Sequence, residues 1–204
     1  MTALEVTLIG AIVGALIGSI VSFVFTISLR KKRESDLEKS LYNEFALIRN
    51  RLNEWLLSLI DEYKNPKRLL YSEYSPFNTY YLDAICIEMV KANRIIRTDQ
   101  RNLIENIKIK SEGILFNLSK IDNYKKEIQI DGNKGSYRAP KSTAYLILDA
   151  TEIVYYLTKL LNEKEDFVLE SIHSKELMLR DVFEKMDVDL KSISIGNIIK
   201  DVEQ

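Results

Sequence analysis

The side chains suited to chemistry are few. Lys91, Arg94, Arg97 and Arg101 place four cations within eleven residues. The first three recur at intervals of three near the end of an expected helix, and Arg101 opens the next. Ammonium and guanidinium donors pair with phosphate oxygens, so this group suits an anionic small ligand such as a nucleotide or a lipid headgroup. Cations at a helix C-terminus also have a ligand-free role, because they offset the negative end of the helix dipole. Asp149 and Glu152 lie three apart and share a helix face. A di-metal site between helices asks for Glu-x-x-His twice. The chain has one histidine, His173, so the carboxylate pair reads as solvated or salt-bridged.

Cys86 is the one cysteine. It sits in an apolar helical stretch with no histidine near it in sequence, which reads as an inert thiol. No intrachain disulfide can form, and no Cys/His zinc site is expected. His173 precedes an expected helix cap and reads as a surface residue. Asn117-Leu118-Ser119 matches a glycosylation sequon, but the expected cytoplasmic placement makes the match a coincidence. No phosphate-cradling glycine loop and no nucleophile elbow is present. The expectation is a protein that is not an enzyme and that needs neither metal nor cofactor.

The global charge excludes another class. The chain carries 29 basic and 30 acidic residues, and Glu5 is the one charged side chain before Arg30. The remainder therefore holds 29 charges of each sign. Nucleic-acid binding draws on a basic excess or stripe, so no DNA partner is expected.

What must position these residues begins with the first thirty. Val6 to Leu29 contains no charge and no proline, and 14 of its 24 residues are Ile, Leu, Val or Phe. As a helix rising ~1.5 Å per residue it is long enough to cross a ~30 Å hydrocarbon core with some tilt. A cleaved signal peptide carries its positive charge ahead of the apolar stretch. Here Arg30, Lys31, Lys32 and Arg33 follow it. The positive-inside rule then places the N-terminus outside and the basic cluster in the cytoplasm, where a lone cysteine stays reduced. These four cations set topology and meet anionic headgroups. The expected location is the inner cell membrane, crossed once.

Within that segment Gly10, Gly14, Gly18, Ser22 and Thr26 recur at a spacing of four, with Ala11, Ala15 and Ser19 alongside. Lipid gives helices no hydrophobic reason to associate, whereas a row of small side chains lets two backbones approach closely. The row is expected to hold a homo-oligomer. Gly and Ala are also common in membrane helices generally.

No Gly or Pro separates Leu29 from Lys64, so the membrane helix is expected to continue as one rod that ends before Pro66. Leu37, Leu41, Phe45, Ile48, Leu52, Trp55 and Leu59 form an apolar seam. It would serve a coiled coil between copies or the core of the chain's own domain. Residues 65–77 read as a connection. Asn78 or Thr79 caps a helix to about Ala92, and Thr98-Asp99 starts another that fades near Lys126. Asp131 to Pro140 (DGNKGSYRAP) reads as a loop. A long helix follows over about Lys141 to Leu169, and Ser174 caps a short one to about Met186. Residues 191–204 read as a tail of ambiguous structure, and no strand alternation is evident. The stretch Ala144 to Leu161 is too charged for a second span. Its eight Ile, Leu or Val contribute roughly −2 to −5 kcal/mol, against about +8 to +10 kcal/mol for Asp149, Glu152 and Lys159.

The expected fold is all-α. Residues 1–5 are extracytoplasmic, 6–29 cross the membrane and 30–64 form a juxtamembrane amphipathic helix. Residues 65–190 form a cytoplasmic antiparallel helical bundle, and 191–204 the tail. This layout resembles many prokaryotic single-pass membrane proteins, and it is similar to small membrane effectors of antiphage defence. In those, a cytoplasmic sensor domain controls an oligomeric membrane segment. The resemblance is carried by the layout alone. It implies an effector that opens a pore or perturbs the bilayer. The other reading is a membrane-anchored adaptor that recruits a cytoplasmic protein partner.

Overall fold

The computed structural model describes residues 3–71, 79–123, 126–191 and 193–203, with the backbone alone for 3–13 and 122–123. The described residues are mostly helical, in six α-helices. The first, α1, runs from Ala3 to Lys64 without a break. At ~1.5 Å per residue these 62 residues form a rod about 93 Å long. It stops where Pro66 would remove a helical N–H and clash with the preceding turn. Asn65 closes the last turn, donating from its backbone N–H to the Asp61 carbonyl at 2.9 Å.

The rod has two halves with opposite environments. Its second half carries the apolar seam, and that seam is buried inside the chain itself. Leu41, Phe45, Ile48, Leu52 and Leu59 are almost wholly covered, and Trp55 is 6% exposed. Their neighbour is α4 (Pro140–Glu163), which also packs on α3, α5 and α6. The choice between a coiled coil and an intramolecular core is thus decided for the core.

α4 starts as its sequence demands, with Pro140 at the first turn, where its missing N–H costs nothing. It ends at Glu163, short of the expected Leu169, because Lys164 adopts a left-handed φ of 51°. A single 3₁₀ turn, Lys164–Asp166, follows. α2 (Tyr80–Lys91) begins after Thr79, whose side chain makes no capping bond; Asn78 lies outside the described residues. α3 (Thr98–Asn123) buries Leu103, Ile104, Ile107 and Ile114. α5 (Lys175–Lys185) is capped as its sequence suggests, with Ser174 Oγ accepting from the Leu177 N–H at 3.3 Å. The tail contains α6 (Ile195–Glu203), whose Ile195 and Ile198 are buried. With Ile199 and Val202 packed beside them, they dock the helix on α4 and α5.

The all-α expectation is corrected at one place. Lys126–Ile130 (β2) and Asn133–Tyr137 (β3) form an antiparallel hairpin, and Lys67–Arg68 (β1) adds a third strand in the order β1-β3-β2. The stretch read as a loop is therefore the turn and second strand of a hairpin. Asp131 and Gly132 occupy the turn with φ of 47° and 80°. Positive φ at both central residues is what a two-residue hairpin turn requires, and Asp-Gly supplies it. Gly135 is also required. A Cβ there would sit 3.1 Å from the Arg68 carbonyl and closer still to the Ile130 side chain.

A buried ion pair fixes the sheet to the end of the rod. Arg138 Nη1 donates to Glu62 Oε2 at 2.8 Å, and neither side chain is more than 3% exposed. The guanidinium also lies 4.4 Å from the centre of the Tyr71 ring.

Candidate membrane-facing site

The first half of α1 is the unusual surface. Every residue from 14 to 33 is exposed. Phe23 and Phe25 are each more than 60% exposed, and no other element covers Leu16, Ile17, Ile20, Val21 or Val24. Among the described residues α1 is the one helix long and apolar enough to cross a membrane, and none of its apolar stretch is buried. Scattered exposed apolar side chains are ordinary, but a continuous apolar cylinder is not.

The small-residue row lies along this cylinder. Gly14 and Gly18 have nothing within 4 Å of the position a Cβ would take. Of Gly10 only the backbone is described, within α1. Two hydroxyls of the segment are satisfied locally. Ser19 Oγ donates to the Ala15 carbonyl and Thr26 Oγ1 to the Ser22 carbonyl, each at 2.8 Å. Such bonds to the preceding turn let small polar side chains sit in an apolar medium without an orphan donor.

Arg30, Lys31, Lys32 and Arg33 follow as a collar. Arg30 Nε pairs with Glu34 one turn on, at 3.0 Å. Arg33 reaches across to Glu88 Oε2 of α2 at 2.8 Å. Glu88 also accepts from Lys91 Nζ at 2.8 Å. Lys91 and then Arg33 hold the Glu88 carboxyl below its ordinary range. This bridge ties the C-terminal end of α2 to the rod one turn beyond the apolar stretch.

The four cations of the anion-binding expectation fall in the same region, but they do not converge on one point. Lys91 is answered by Glu88. Arg94 Nη2 is answered by Glu38 at 2.8 Å and by Glu165 at 3.9 Å. Arg101 stands 3.7 Å from Glu105. Arg97 is exposed and takes part in no ion pair among the described residues. Lys91, Arg94 and Arg101, joined by Lys108, rim one groove of about 830 Å³ between α2 and α3. The same groove is lined by the apolar Ile87, Val90, Ile95, Ile96 and Ile104. A compact anion would meet paired cations and apolar side chains there.

The remaining candidates have partners. Asp149 and Glu152 share Lys110, at 3.6 and 3.0 Å. Burial pushes the Asp149 carboxyl upward, and Lys110 opposes that. Cys86 is half-buried, and burial raises its thiol pKa. His173 lines a hollow of about 650 Å³ beside the Lys159–Glu170 pair. Among the described residues no group of three or more His, Cys, Asp or Glu stands together as a ligand set.

Lys91, Arg94, Arg97 and Arg101 are legible in the sequence, but the exposed apolar residues between them are not. Ile95 is 86% exposed. Its signal was an isoleucine in a short basic connection, which no periodic pattern could assign to a face. Comparison with protein families, with curated proteins and with solved structures finds no match for this chain.

Proposed function

We propose that the protein is a homo-oligomeric single-pass membrane protein whose spanning helices pack along the small-residue row. Its helical domain faces the cytoplasm and controls that assembly, so that the oligomer opens a pore or perturbs the bilayer. It works without catalysis. One observation carries the reading: residues 14–33 of α1 stand bare while the half that follows has one face buried, with the basic collar at the junction. A helix is the element that satisfies its own backbone in lipid. The unbroken rod supports control, because motion of the domain about α4 is delivered to the spanning half with no hinge residue between. The seam is already occupied by α4, so the membrane row is left to hold the copies together.

Gly14→Leu tests this. It places an isobutyl group where two backbones approach, while the segment stays apolar enough to insert. The expected result is a smaller particle by native mass in mild detergent and a loss of ion flux in proteoliposomes. Ile12→Leu, off the row, leaves both unchanged. Retention of wild-type size and flux in Gly14→Leu would remove the oligomer reading. The adaptor reading has an observation of its own: Ile109 and Phe116, two turns apart on α3, are both exposed. A co-purifying protein without flux would favour it.

A further inference from the structure

We infer that the corner between α2 and α3, residues 90–97, is a second membrane contact that docks on an anionic lipid surface. The inference rests on the reading of α1 as a spanning helix. Val90 is 68% exposed and Ile95 is 86% exposed, more than any other large apolar residue described. Both stand among cations, with Lys91 beside Val90 and Arg94 and Arg97 flanking Ile95. An apolar tip bordered by basic side chains suits the headgroup layer, where the tip reaches acyl chains and the cations meet phosphate.

Position along the rod supplies the second, independent observation. The Arg33–Glu88 bridge and the Arg94–Glu38 bridge hold the corner level with residues 33–38 of α1. Leu29, Arg30 and Arg33 line one hollow together with Lys91, Ala92 and Asn93. Residue 33 lies only about 6 Å along the axis from Leu29, where the apolar stretch ends. The corner therefore sits at the depth of the headgroups whenever α1 spans. Asn93 makes the reversal possible. Its left-handed φ of 56° ends α2 and turns the chain before Ile95.

The cations without an intramolecular partner point to the same occupant. Lys31, Lys32 and Arg97 take part in no ion pair among the described residues. Glu38 and Glu165 answer Arg94 on the side away from the apolar stretch. Lys31, Lys32 and Arg97, all exposed, are thus left to meet anionic headgroups.

The test uses the full chain with Cys86→Ala, spin-labelled at Ile95→Cys, Val21→Cys or Leu177→Cys. Each is reconstituted in phosphatidylcholine vesicles with and without phosphatidylglycerol. Accessibility to oxygen and to a water-soluble nickel chelate reads depth. The Val21 label should be deep in both lipids. The Leu177 label should be aqueous in both, since that residue is exposed on α5. The Ile95 label should lose nickel accessibility in the anionic vesicles, and Arg97→Glu should lower the docked-to-undocked ratio by about tenfold or more. An Ile95 label as aqueous as Leu177 beside a deep Val21 would overturn the docking and leave the span standing. An aqueous Val21 label would overturn both. Protection of Ile95 that is the same with and without phosphatidylglycerol, and that falls when the protein is diluted in the lipid, would assign the corner to a second copy and overturn the lipid contact.

Discussion

At the scale of single residues, the charges and one glycine carry the sharpest expectations. Glu88 has its carboxyl held low, first by Lys91 and then by Arg33. A depressed carboxylate contributes stability that is full above its unfolded pKa and is lost as pH falls through the folded one. The α2-to-rod bridge should therefore persist at neutral pH and release only below the ordinary glutamate range. A carboxyl NMR titration should show a lowered midpoint for Glu88, with Lys91→Ala raising it more than Arg33→Ala. Equal midpoints in all three proteins would contradict the bridge. Glu62 and Arg138 form the deeply buried pair. Glu62→Gln removes a carboxylate charge from beside the buried guanidinium, and it should cost ~3–5 kcal/mol in denaturant unfolding. Gly135→Val forces a side chain toward the Arg68 carbonyl. Amide exchange in 126–137 should accelerate while exchange in α4 stays slow. Uniform protection would show that the sheet tolerates the change.

At the scale of elements, the periodic helices were legible and the hairpin was not. The three-four spacing from Leu41 to Leu59 marked a buried face, and burial follows it residue by residue. Ser174 marked a helix start because a hydroxyl accepting an orphan N–H is a local event. The pattern could not choose between partners for the seam, since a partner helix in the same chain and one in another copy ask for the same spacing. The hairpin escaped because its strands lack a clean apolar alternation. Asp131-Gly132 was the one available signal, read as a loop because the flanking polar residues outweighed Ile128 and Ile130. For the candidate site, the cations were legible by type but not by company. Lys91 and Arg101 are answered locally, by Glu88 and Glu105, but the carboxylate that answers Arg94 most closely, Glu38, comes from a helix far away in sequence. The element on which the fold turns is α4. Leu157→Ala removes a fully buried side chain from its centre and should destabilise the protein by ~2–5 kcal/mol. Urea unfolding followed by circular dichroism in detergent should register that as a lowered midpoint with similar slope. A change of less than ~0.5 kcal/mol, the usual surface effect, would mean α4 is not the centre of the core.

At the scale of the whole molecule, one helix carries an exposed apolar stretch and a packed stretch end to end. One face of its second half is buried, chiefly by α4 and α2, and residues 14–33 of its first half are covered by no other element described. The collar marks where one regime gives way to the other. The central claim is that the apolar half crosses a bilayer with the N-terminus outside, and thiol accessibility in intact cells tests it most directly. In a Cys86→Ala background, Thr2→Cys should react with a membrane-impermeant maleimide before lysis. Lys39→Cys, on an exposed position of the rod beyond the collar, should react only after lysis. Labelling of Lys39→Cys in intact cells, or protection of Thr2→Cys until lysis, would contradict the account.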